Sequence, residues 1–193
     1  VYNHLGQLTR ETTIDWKADK NVSLSTTYEY DAWGEQFKVV GPDGVVQITE
    51  NNQAKHTLTR WAQSAGAEPK IIGKSRVTLN LFDKEDKIET LDANGKTIST
   101  RELRYDGLGN CVEQIDELGE TTRFVYDSFS RLQITVLPDY TEIHRAYASH
   151  SSQELPVSLE VVADQKTQLI GTQTFDGLDR RKTVKVGPRF QEY

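Results

Sequence analysis

The stretch Tyr105-Asp106-Gly107-Leu108-Gly109-Asn110, continued through Asp116-Glu117-Leu118-Gly119 and on to Thr121–Val125, decides how this chain is read. Asp106 suits the first position of a type I turn, where its carboxylate accepts a backbone N–H. Gly109 supplies the positive φ that closes such a turn into a bulge. Asp116 and Gly119 repeat the same offset about ten residues later, so the stretch reads as turn, strand, turn, strand.

Copies of this unit appear when the aromatic-Asp pair is used as a ruler. Tyr30-Asp31-Ala32-Trp33-Gly34, Tyr126-Asp127-Ser128-Phe129-Ser130-Arg131 and Phe175-Asp176-Gly177-Leu178-Asp179-Arg180 match closely. Phe82-Asp83, which lacks the turn glycine, and Tyr2-Asn3-His4-Leu5-Gly6, which has Asn for Asp, are weaker copies. The aromatic positions 2, 30, 82, 105, 126 and 175 are separated by 28, 52, 23, 21 and 49 residues, two of the gaps being about twice the rest. The second turn recurs as well, in Gly41-Pro42-Asp43-Gly44, Asp92-Ala93-Asn94-Gly95 and Pro138-Asp139-Tyr140-Thr141. Unrelated hairpins of an ordinary β domain are the bland reading. Self-similarity at this period favours an array of like units.

The pattern Tyr-Asp-x-x-Gly-Arg/Asn followed by Asp-x-x-Gly resembles the tyrosine-aspartate (YD) repeat of the rearrangement hotspot (RHS) proteins. Within that group the units at Tyr105 and Phe175 are most similar to those of the B and C components of bacterial insecticidal toxin complexes. The resemblance leaves gaps at 45–81 and 148–174. It implies an all-β fold, an array of antiparallel β-hairpins forming part of a curved, shell-like continuous sheet. It also implies a non-catalytic wall segment of a hollow shell that encloses a toxic polypeptide for delivery into target cells. The implied partners are flanking RHS repeats, the other toxin-complex component and the enclosed toxin polypeptide, and the implied location is secreted or extracellular.

The bulk properties fit that expectation. The 193 residues are 36% hydrophobic, and 23 Lys+Arg against 29 Asp+Glu give a net charge of −6. That is the wrong sign for a nucleic-acid binder built on phosphate neutralisation. No run of 18 apolar residues and no basic-then-apolar leader occurs, so no membrane insertion by this segment and no targeting signal are expected. The chain opens inside a repeat at Val1-Tyr2-Asn3-His4, which reads as a piece of a longer protein. One array over residues 1–193 is expected, with units starting near 2, 30, 82, 105, 126 and 175 and inserted hairpins at about 45–81 and 148–174.

Local patterns fill in the strands. Thr12, Ile14 and Trp16 read as one face, 17–21 as a charged turn, and Ser23–Tyr28 as a strand. Within 51–81 an added hairpin is expected, with a short helix over Thr57–Ala65 as the alternative. Asn94-Gly95 signals a hairpin between Lys87–Leu91 and Lys96–Leu103. Ala148–Ser152 reads as a loop, and Val157–Val162 and Gln168–Thr174 form a hairpin around Ala163-Asp164-Gln165-Lys166. In Arg131–Leu137 the alternation places Leu132, Ile134 and Val136 on a buried face and Arg131, Gln133 and Thr135 on a wet one.

Chemistry is sparse. His4, His56, His144 and His150 are scattered, and Cys111 is the lone cysteine, read as a half-buried strand residue, so neither zinc spacing nor a disulfide is present. Asp83-Lys84-Glu85-Asp86 and Asp92-Ala93-Asn94-Gly95 lack the spaced ligands of a calcium loop. No Gly-x-Ser-x-Gly elbow, phosphate-cradling loop or Asp-Pro-x-Gly autoprotease pattern occurs. Asp31, Asp106, Asp127 and Asp176 occupy one place in each unit, as turn-formers do, whereas a glycosidase needs a unique carboxylate pair. No catalytic, cofactor-binding or metal-ligating residue is therefore expected. The alternatives are a surface adhesin or carbohydrate-binding module using exposed Trp16, Trp33 and Trp61, and, less favoured, a hydrolase domain.

Overall fold

A computed structural model describes residues 1–17 and 20–193. Residues 18 and 19, the middle of the turn expected at 17–21, lie outside the described residues. The chain divides into two compact units, Val1–Thr100 and Arg101–Tyr193.

The first unit contains β1 (Arg10–Lys17), β2 (Lys20–Tyr30), β3 (Gln36–Val40), β4 (Val46–Asn52), β5 (Thr57–Gln63), β6 (Ile71–Leu79) and β7 (Glu85–Leu91). A single 3-10 turn, Gln53–Lys55, separates β4 from β5. β8 (Thr97–Tyr105) carries the boundary between the units. The second unit continues with β9 (Cys111–Ile115), β10 (Thr121–Tyr126), β11 (Leu132–Val136), β12 (Glu142–Tyr147), β13 (Pro156–Ala163), β14 (Lys166–Phe175), β15 (Arg181–Val186) and β16 (Arg189–Glu192). Within each unit the strands pair antiparallel in chain order, β1 to β7 in the first and β8 to β16 in the second. The fold is all-β, an array of antiparallel hairpins. The stretch Thr57–Gln63 is a strand, so the helical alternative fails there. Its Thr-Leu-Thr-Arg-Trp alternation outweighs any helical preference.

Each hairpin that carries a repeat aromatic has the same construction. The register slips by one residue beside Tyr30, Tyr105, Tyr126 and Phe175, the mark of a β-bulge just before the turn. It also slips beside Leu79 and Tyr147. That corrects the frame of the weak copy at Phe82-Asp83. The residue in the Asp106 position is Asn80, and Asp83 stands in the glycine position with φ of 57°. An amide side chain accepts the same two backbone hydrogen bonds as a carboxylate, so the turn survives a shift that hides it from an aromatic-Asp ruler.

The expected division of β11 into a buried apolar face and a wet polar face is overturned. Thr135 and Arg131, beside the strand's start, are 7% and 9% exposed, whereas Leu132, Ile134 and Val136 are only half-buried. The reason lies in the layering. Among the described residues the buried apolar side chains are Val77, Leu91 and Ala148, and no large side chain is fully buried. Within each unit, among the described residues, the strands pair with their chain neighbours and no large apolar side chain is fully buried, so neither face has a core to point into.

Instead, charged and aromatic side chains pair across neighbouring strands. In the first unit Lys38 meets Glu29 at 2.7 Å, the Lys74 ammonium stands 5.2 Å from the centre of the Trp61 ring, and Glu89 receives Arg76 from β6 at 3.6 Å, with Lys87 of its own strand at 3.3 Å. In the second, Arg104 and Arg123 reach Glu113 from opposite sides at 2.8 and 3.2 Å, the three residues being directly opposed in register. Each exposed pair contributes little alone, about 0.2–1 kcal/mol.

Stability therefore leans on the backbone ladder and on the turns that fix its register. Gly119 has φ of 83°, and a Cβ there would meet no atom within 4 Å. Gly119→Val accordingly costs backbone strain alone, about 1–3 kcal/mol, read as a lower urea midpoint. An unchanged midpoint would contradict the positive-φ role.

Candidate functional site, a stitched row of turns

The recurrent chemistry of this protein is gathered at the turns. In the turn after β8 the Asp106 N–H donates to the Asn110 carbonyl at 3.0 Å, and the Gly109 N–H donates to the Asp106 carbonyl at 3.0 Å. The Asp106 carboxylate then accepts the N–H groups of Leu108 and Asn110, both at 2.9 Å. One oxygen thus pins two amides that would otherwise need water. The same double acceptance is made by Asn3, Asp31, Asn80, Asp92, Asp116, Asp127 and Asp176. The residue three positions on is a positive-φ glycine where sequence allows, and Asp83, Ser130 or Asp179 elsewhere.

The residue after that reaches sideways to the next turn at the same ends of the strands. In the first unit the Gln7 amide donates to the Gly34 carbonyl at 3.0 Å, and Asn51 donates to Glu35 at 2.9 Å. In the second, the Asn110 amide donates to the Asp106 carboxylate at 2.9 Å and to the Ser130 hydroxyl at 3.3 Å. Arg131 holds the Asp127 carboxylate at 2.7 Å, donates to the Ser151 carbonyl at 2.8 Å, and lays its guanidinium 4.6 Å from the Tyr147 ring centre. From that loop His150 and Ser151 both reach the Asp179 carboxylate at 3.1 Å. The turns of the second unit are stitched from Asp106 to Asp176.

A second set of bonds ties three tyrosines back into the sheet. The Tyr30 hydroxyl donates to the Leu8 carbonyl at 2.8 Å, Tyr126 to Cys111 at 2.9 Å, and Tyr147 to Leu132 at 2.7 Å. Phe175 has no hydroxyl, and Gln173 on the same strand donates to the corresponding carbonyl, that of Pro156. Tyr147 escaped sequence reading because Ala148 replaces its Asp. The signal that reveals it is distance, for it stands 21 residues after Tyr126 as Tyr126 stands 21 after Tyr105.

Electrostatics follow from these bonds. The Arg180 side chain, with backbone N–H groups of Arg180 and Leu178, draws the Asp176 carboxyl down to about 2. The Asn110 side chain lowers that of Asp106. At Asp127 burial pushes the carboxyl up, but the hydrogen bonds from Arg131 outweigh it and the net shift is downward. The carboxylates are spent on backbone and guanidinium partners.

The scattered candidates stay scattered. His144 pairs with Glu142 at 2.6 Å, His150 shares Asp179 with Ser151, and Cys111 begins β9 half-buried. Trp16 and Trp33 are exposed, but Trp16 lies near the far end of β1, Trp33 in the turn after β2, and Trp61 under Lys74 on β5. They do not make one platform.

Arg131→Ala leaves the carbonyl of Ser151 and the Asp127 carboxylate without their partner, so it lowers stability by about 2–3 kcal/mol in denaturant unfolding. A loss below 0.5 kcal/mol would mean that the lateral stitch contributes nothing. The acid dependence has a defined sign. Asp176 is depressed in the folded state, so its contribution is full above the unfolded value of about 3.9 and is lost as pH falls toward about 2. Asp176→Asn keeps the backbone acceptor and loses the charge. The difference in thermal midpoint between pH 5 and pH 2 therefore shrinks relative to wild type, and an undiminished difference would contradict the assignment.

The RHS repeat model matches residues 105–142, which span the Asp106, Asp116 and Asp127 turns. No curated protein matches the chain. Among solved structures, TcdB2-TccC3-Cdc42 aligns over 96% of this chain and 15% of its own, at 10% identity and a TM-score of 0.35. TcdB2-TccC3 alone aligns over 97% and 15%, at 10% identity and a TM-score of 0.33. A porin-like protein from Bacteroides uniformis aligns over 88% and 60%, at 18% identity and a TM-score of 0.24. The chain spans about 15% of the TcdB2-TccC3 structures it matches. Residues 105–142 thus carry an RHS repeat, and the turns at Asn3, Asp31, Asn80 and Asp176 outside them are built in the same way.

Proposed function

We propose that this chain is a wall segment, a strip of RHS-repeat sheet that helps enclose a polypeptide and carries out no reaction itself. The observation that carries the reading is the reuse of one turn. The acidic side chains that recur at Asp106, Asp127 and Asp176 are consumed in holding backbone, in the same way each time. A catalyst needs one constellation unlike the rest of its scaffold, whereas a wall needs many equivalent ones. The thin construction supports the same reading, since a strip without a core exposes two broad faces for its length. By its repeat pattern the chain resembles the toxin-complex components. That likeness suggests a toxic polypeptide as the enclosed partner, further RHS repeats and a second component as neighbours, and a place outside the producing cell.

Protease protection tests this. An RHS-repeat protein that contains this segment together with an enclosed polypeptide should resist cleavage of that polypeptide. Arg131→Glu, which reverses the charge at the stitch between turns, should open it to cleavage at least tenfold faster. Equal cleavage of the enclosed and the free polypeptide would overturn the reading. The segment itself should show no hydrolase activity, and a turnover abolished by changing a single carboxylate would do the same.

A further inference from the structure

One face of β12 to β15 carries a hollow of about 350 Å³ that neither the pinned turns nor the tied tyrosines account for. Its origin is a β-bulge. Leu159 pairs with Gly171 while Glu160 pairs with Leu169, so Ile170 is an extra residue and β14 bends there. Gly171 forms the floor. A Cβ on it would come 2.9 Å from the Lys185 carbonyl oxygen and 3.3 Å from a Val186 methyl group, so the floor stays bare. Val157, Leu159, Ile170, Val184 and Val186 make the walls. Ser158 and Thr172, paired with each other one step along, turn their side chains to the opposite face. The Gln173 amide is spent on the Pro156 carbonyl.

The lining ends on the β12 side in Arg145, the one charged residue it contains. Arg101, Arg104, Arg123, Arg131 and Arg180 of the same unit each hold a carboxylate. Arg145 is half-buried, donates to the Thr135 hydroxyl at 3.0 Å, and has no ion pair among the described residues. The loop acid Glu154, which acts with Arg145 on the Tyr147 hydroxyl, does not pair with it either. A guanidinium beside apolar walls with only a neutral partner is a charge that an anion would complete.

We infer that this hollow binds a medium-chain aliphatic carboxylate, its chain lying over Gly171 and its carboxylate on Arg145. Size, lining and charge each support that occupant. The volume sits at the low end of small-ligand sites, about 300–1,000 Å³, which combine apolar walls with a few polar groups. Two strand spacings, about 9.5 Å, separate the strand of Arg145 from that of Gly171, a span that an extended aliphatic chain covers and acetate does not. A peptide laid along the same line would leave its own N–H and C=O groups over valine and leucine without partners, whereas an aliphatic chain has none to satisfy. The site stands whatever the strip encloses.

Titration of octanoate into the isotope-labelled 193-residue chain, followed by NMR, tests this. The amide resonances of Leu159, Gly171 and Val186 move along one saturating curve. Octan-1-ol, the same chain without the charge, binds at least tenfold more weakly. Arg145→Gln keeps a donor for Thr135 and removes the charge, so it weakens octanoate at least tenfold and leaves octan-1-ol as it was. Val186→Glu, at a wall position that is 51% exposed, gives the same loss of octanoate and carries the test if Arg145→Gln misfolds by circular dichroism. Arg123→Gln, on the opposite face of the sheet, binds octanoate as wild type does. Absence of saturable shifts in wild type overturns the inference. So does octan-1-ol binding as tightly as octanoate, or a folded Arg145→Gln variant that keeps the wild-type affinity for octanoate.

Discussion

A reversal of the chain in water leaves backbone N–H groups facing solvent, and nothing in the strands alone decides at which residue the reversal falls. Here, in eight of the turns, that decision is made by one side-chain oxygen, which accepts the amides two and four residues ahead of it. The bond fixes the turn type, the turn type fixes the register of the hairpin, and the register decides which side chains oppose one another across the strip. Arg104, Glu113 and Arg123 meet only because the Asp106 and Asp116 turns set β8, β9 and β10 in that alignment.

The dependence is strong because the usual source of stability is thin. In a layered domain a misplaced register is punished by apolar residues turned out of the core, but this strip has almost no buried apolar side chain to punish it. What replaces the core is local and repeated: backbone ladder, pinned turn, tyrosine hydroxyl tied to a neighbouring carbonyl, and a lateral stitch to the next turn. Where one part is missing another supplies it, as Gln173 does beside Phe175. Such an array grows by adding like units and places no demand on any single residue, which suits a wall and not an active site.

Much of this was legible in the residues. Asp or Asn followed three positions later by glycine carries its own mechanism, so the turns at Asn3, Asp31, Asp92, Asp106 and Asp116 could be placed from sequence, and those at Asp127 and Asp176 by the aromatic residue before the Asp. Legibility ended where the mechanism outlived the signature. Asn80 does an aspartate's work with Asp83 in the glycine position, and Tyr147 keeps its carbonyl bond although Ala148 follows it. The burial of Arg131 and Thr135 was hidden for a different reason. Alternation announces two faces, but whether either is covered depends on a second layer that no strand encodes by itself. The stitch from Arg131 to Ser151 and from Ser151 to Asp179 was likewise invisible, since it joins turns more than twenty residues apart.

Native-state amide hydrogen exchange, followed by NMR, tests the central claim most directly, that the turns and not a core hold the strip. If it is right, the N–H groups of Leu108, Asn110, Phe129 and Arg131 exchange as slowly as those in the middle of β9 and β10, although they sit at the ends of the strands. Exchange at the rate of open loops, with protection confined to strand centres, would contradict it.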